Sequence, residues 1–404
     1  MATKFYFDFR DIFRAGRMGF KGKKMMMHFL GLMLGYVIYE IMTYLSLVNS
    51  GMLSDFWQSY GLRPEFFFGF KLTSGLPFVA LKLPIVLPSA TIVVMAIGAL
   101  IWFIIYLLFS TAVAKVAIEE LRGDEFYSMK DALKFAAKHW KSIYVAMLAL
   151  IGIFLFCLLW PSLVGLIDLI PKVEQAAEHF GTPLTTFLTL PVYFLGLLMA
   201  LVIIAFLFGI LLIPAIVAVT GEDTFETIYQ LFSTIWNQPW RLVIYHILVR
   251  FVATLGFAIF TAISIAGMYI AFLPSMLLAK QQSYYFADVF ARALRIIDAS
   301  PLIGMIPSAN PYVSMPWTLD LATFFLFVSL IMIAAIVVAY PMAIVSCGYT
   351  ILYVILRKKT TEENMLEVKE EKKEVVAEEK PEKVEEKKEE PGAEESSEEK
   401  KEGK

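Results

Sequence analysis

Three side chains in this 404-residue chain place ionisable chemistry inside long apolar runs: Glu40, His246 and Arg250. A charge at the centre of a bilayer costs ~2.5–3.5 kcal/mol or more, so such residues usually have a role. His246 and Arg250 are four positions apart and share one face of a helix. At helical rise Glu40 lies ~22 Å along its run from Met25, and Arg250 ~13 Å beyond Arg241. The three define a candidate intramembrane polar site, a proton or anion relay. The competing reading is structural, with Glu40 near the outer interface and Arg250 in an interhelical pair. Asp168 and Asp320 flank apolar runs and are read as interfacial.

Other reactive types give less. The histidines are His28, His139, His179 and His246, and none is spaced from another as metal ligands are. Cys157 and Cys347 both sit within apolar runs and read as small packing residues. The sequence has no HExxH, no phosphate-binding Gly-Lys-Ser/Thr loop and no GxSxG turn. No catalytic residue, cofactor site or metal site is therefore expected, and the chain is read as non-enzymatic.

The elements that must position these residues follow from composition. Apolar residues make up 58% of the chain and the mean hydropathy is +0.68. The excess is concentrated in nearly uncharged runs such as 91–109, 144–160, 192–219 and 324–345. A run of ~20 residues crosses ~30 Å of hydrocarbon as a helix. The expected fold is thus all-α and membrane-integral, with six spanning helices near 25–47, 89–114, 142–166, 191–219, 242–273 and 319–349. The last two exceed the bilayer and must tilt or protrude. Pro214 and Pro341 are natural kink points.

Charge divides the chain. Residues 360–404 hold 18 Glu and 10 Lys, so the preceding part carries +6 of the overall −2. The acidic segment has too few apolar residues for a core and is expected to be a disordered cytoplasmic tail. The basic part needs no nucleic acid to explain it, because Lys and Arg flank membrane helices and meet anionic lipid. Counted between spans, 17 basic residues fall on the side of the termini and 7 on the other. This asymmetry predicts both termini in the cytoplasm of a multi-pass cell-membrane protein, with the first span an uncleaved anchor.

Short amphipathic segments precede the first, third and fifth spans, at 7–24, 126–141 and 224–241. In each, acidic residues come early and a base comes last, at Lys24, Lys141 and Arg241; Trp140 and Trp240 precede the last two. These five residues are expected to anchor helices in the headgroup layer. The unit of interfacial helix, span, outer loop and span then occurs three times, at about 7–116, 126–219 and 224–356. Gly31 and Gly35 fit small-xxx-small packing. The outer loops 51–88, 168–190 and 280–319 offer a variable surface, with short helices expected around 172–180 and from 280.

Two stretches, YSMKDALKFAAKHWKSIYVAML and LLIPAIVAVTGEDTFETIYQLFSTIWNQPWR, resemble a broad group of bacterial and archaeal multi-span proteins. The group is similar to the membrane domains attached to some glycerophosphodiester phosphodiesterases. The resemblance covers roughly 7–359 and implies a Pro-containing span end leading into an amphipathic helix, a Trp and the next span. The chain lacks the catalytic domain and its metal-binding carboxylates, so no activity or functional residue carries over. Two classes remain: a scaffold or lipid-interacting module with membrane lipids and a protein partner, or a small-molecule, lipid or ion transporter.

Overall fold

The computed structural model describes residues 5–55, 87–165, 186–278, 280–296 and 316–367. Apolar runs of this length must satisfy their own backbone hydrogen bonds, which favours helices. Among the described residues there is no strand. The helices are α1 (Phe9–Ile12), α2 (Arg14–Gly19), α3 (Gly22–Asn49), α4 (Ser89–Leu121), α5 (Met129–Lys138) and α6 (Trp140–Gly165). They continue as α7 (Thr189–Thr220), α8 (Thr224–Asn237), α9 (Pro239–Leu278), α10 (Lys280–Ile296) and α11 (Trp317–Thr361). Six of them, α3, α4, α6, α7, α9 and α11, are long and apolar enough to span a bilayer. The chain is an all-α, multi-span membrane protein.

The early acidic or hydroxyl residues of the short segments have a local cause. Asp8, Ser128 and Asp223 cap α1, α5 and α8, accepting from the backbone N–H of Arg10 (2.8 Å), Asp131 (3.0 Å) and Glu226 (3.0 Å). Each satisfies a donor that the first helical turn leaves orphaned. Gly221, at φ +70°, ends α7 in the left-handed region and frees the chain to turn into α8.

Packing follows a pattern. The long helices pair as α3 with α4, α6 with α7, and α9 with α11. The second members, α4, α7 and α11, also pack on one another and form a hub. Residues 212–219 of α7 and 343–356 of α11 are buried on every face. A helix apolar all round belongs in such an interior. The short helices surround the hub: α5 packs on α4, α8 on α7, and α2 on α11. The start of the chain therefore docks on its last helix. Gly19 allows this, since a Cβ there would lie 2.8 Å from the Ile344 nitrogen. Phe20, Phe260 and Tyr340 then stack edge to face across α2, α9 and α11.

The hub explains where the helices outrun the expected spans. Helix α4 continues to Leu121 and α11 to Thr361; protein covers α11 as far as Leu356, and the charges beyond find partners, as Arg357 does in Glu363. The acidic segment was expected to be solvated from 360 onward, yet Met365 is buried. Its carbonyl accepts from Arg122 Nη2 at 2.9 Å. The rest of that tail, the short helix near 172–180 and most of the 51–88 and 301–316 stretches lie outside the described residues. Helix α10 occupies the predicted position after 280.

Candidate functional site

Helices α7, α9 and α11 leave an open groove of about 560 Å³ between them, with Tyr106 of α4 at its back. Its walls are mainly apolar, including Leu207, Leu211, Phe257 and Met342. Pro341 lies in the wall and has no N–H to give the carbonyl four residues earlier. Arg250 is the charged residue of the lining. It is exposed, and no ion pair among the described residues uses it. Helical side chains lean toward their N-terminus, which aims the Arg250 guanidinium along α9 toward the hub.

Behind the groove runs a set of buried polar groups. Tyr349 bonds His246 Nδ1, whose tautomer sets which atom donates. Ser110 Oγ lies 3.1 Å from Ser346 Oγ, and Ser346 lies 2.9 Å from His28 Nε2. A hydroxyl can donate one way and accept the other, so the series is self-satisfying. The chemistry available is one guanidinium, several hydroxyls and two imidazoles beside an apolar wall. That set suits holding an anion with an apolar body. Among the described residues, no group of three or more His, Cys, Asp or Glu side chains could hold a metal ion.

Comparison of the chain with protein-family models, with curated proteins and with solved structures yields no match. The site must be read from its own geometry.

The structure places two of the three predicted intramembrane residues one turn apart on α9: His246 bonds the Tyr349 hydroxyl and Arg250 lines the groove. Glu40 stands apart. It is ~27 Å along α3 from the hub end, against ~16 Å for Arg250 along α9, and it does not line the groove. Glu40 is half-buried, with both carboxylate oxygens shielded from solvent. Of the expected anchors, Trp140, Lys141, Trp240 and Arg241 are exposed, with Trp240 at 80%. Lys141 lies 5.9 Å over the Trp140 ring, and Arg241 bonds Gln238.

Lys24 departs from expectation. It was read as snorkelling to the headgroups, but it is 1% exposed and sits 2.8 Å from Glu120 Oε2. The reason is α4, whose buried end brings a carboxylate alongside the start of α3. Glu120 also holds Lys21 at 3.0 Å. Nearby, Glu119 is bracketed by Lys115 at 3.0 Å and Arg122 at 3.2 Å. Lys115 and Arg122 donate onward to the carbonyls of Ala218 and Val219 at the end of α7, where cations suit the helix dipole. The Lys115–Glu119–Arg122 set is visible in the sequence as i,i+4 and i,i+3 spacing, whereas Glu120 has no local signal because its lysines come from the start of the chain.

Proposed function

We propose that the chain is a non-enzymatic integral membrane module that organises lipids, and through them partners, at one face of the bilayer. The observation that carries this is the ring of short helices around the hub. Each buries one side against α4, α7 or α11 and leaves aromatic residues uncovered. Phe9, Phe13 and Phe20 do so on the first set, Phe126 and Trp140 flank the second, and Phe225, Tyr229 and Trp236 mark the third. Aromatic rings beside Lys and Arg are the chemistry of a headgroup layer. The short–long–long element order, with α2 closing onto α11, supports three repeats arranged as a ring. The excess of basic residues on this side supports a cytoplasmic location for it and for both termini of a cell-membrane protein. The resemblance to phosphodiesterase-associated membrane domains is compatible with this reading.

Trp236, 73% exposed on α8, tests it. The protein is reconstituted with lipids brominated at shallow or deep acyl positions, and quenching is compared with that of Trp236→Phe. Shallow bromines should quench the Trp236 contribution most. If no bromine position quenches it, the ring of helices does not lie in the headgroup layer and the proposal fails.

The groove favours a second reading, transport of an amphiphile or small anion past Arg250. Equal flux of candidate solutes through wild-type and Arg250→Ala proteoliposomes would remove its support.

A further inference from the structure

We propose that the α7–α9–α11 groove is a binding site for one anionic amphiphile, with Arg250 taking its phosphate or carboxylate head and the apolar walls taking an acyl chain. The inference rests on the reading of the chain as a lipid-organising module and names the ligand class of this groove.

The position of Arg250 carries the argument. From Phe251 the rest of α9 is uncharged, so Arg250 is the last charge before the hydrocarbon. On the hub side of it, Ile244 and Ile247 are exposed apolar residues of the same helix. The Arg250 Cα therefore lies ~10 Å beyond Val243 at helical rise, and its side chain leans back from there along the groove wall toward the hub. An exposed cation there is costly unless an anion meets it. Tyr106 adds a hydroxyl to the lining and no counter-charge.

The groove supplies the rest of the site. Its volume of about 560 Å³ falls in the ~300–1,000 Å³ range of small-molecule sites. Thr254, one turn beyond Arg250 and also exposed, lines the path along which a chain would run. A planar guanidinium binds phosphate or carboxylate through paired hydrogen bonds, whereas a zwitterionic head carries its own cation as a competitor.

The test uses full-length protein in non-ionic detergent and native mass spectrometry with four probes: dioleoylphosphatidylglycerol, dioleoylphosphatidylcholine, oleate and glycerol phosphate. One phosphatidylglycerol or one oleate should be retained after phosphatidylcholine is lost, and which of the two is retained identifies the head. Arg250→Gln should weaken that binding at least about tenfold, and Arg250→Lys should keep part of it. Thr254→Trp, which fills the groove and leaves Arg250 in place, should also lose the amphiphile. Three results would overturn the proposal: equal retention of phosphatidylcholine, binding of glycerol phosphate as tight as that of the chain-bearing probes, or an unaffected Thr254→Trp. None of these bears on the Trp236 quenching result, so the site and the broader reading fail separately.

Discussion

Replacing Glu120 by Gln should destabilise the protein more than any change at a surface ion pair. Glu120 holds Lys24 at 2.8 Å and Lys21 at 3.0 Å, and the two lysines are 1% and 43% exposed. Once the carboxylate is neutral, Lys21 can turn to water, at a cost of ~1 kcal/mol or less. Lys24 cannot, and stranding one member of a buried pair costs ~3–5 kcal/mol. Lys24→Met removes the other member and leaves Glu120 with Lys21, so a loss of about 1–2 kcal/mol is expected. The double variant replaces the pair by uncharged groups of similar length and should recover most of the Glu120→Gln loss. The assay is reversible unfolding in mixed micelles of non-ionic detergent and dodecyl sulfate, followed by circular dichroism. If Glu120→Gln matches wild type within ~0.5 kcal/mol, Lys24 reaches water or phosphate, as a snorkelling residue would. The buried-pair argument would then be wrong.

Other outcomes follow from packing. A Cβ on Gly35 would lie 2.1 Å from Trp102 Cδ1, whereas one on Gly152 meets nothing within 4 Å. Gly35→Ala should therefore cost ~1–3 kcal/mol and alter the near-ultraviolet dichroism of the indole, while Gly152→Ala should change neither. Unchanged unfolding of Gly35→Ala would contradict the α3–α4 contact. Arg122 donates to the carbonyls of Met365 and Val219 and pairs with Glu119. Arg122→Ala should release residues 362–366, seen as faster amide exchange there by mass spectrometry. Exchange equal to wild type would mean that the burial of Met365 alone holds the segment.

The spans were legible because hydrocarbon length sets a simple threshold: ~20 apolar residues form a helix that must cross or be buried. The caps Asp8, Ser128 and Asp223 are local too, acting on residues two or three positions away, but they emerge only with the structure. The shared face of His246 and Arg250 is another local property, fixed by 3.6 residues per turn. What the sequence could not state is which charges face protein and which face lipid. Lys24 and Arg241 end similar segments, yet one is buried against Glu120 and the other is exposed. The difference lies in a carboxylate 96 positions away along the chain. Likewise His28 is satisfied by Ser346, 318 positions distant, and the groove draws its lining from three helices far apart in the chain. Local pattern determines which segments are helices and which residues share a face. The docking of helices on the hub decides burial and pairing, because both depend on neighbours that no window of sequence contains.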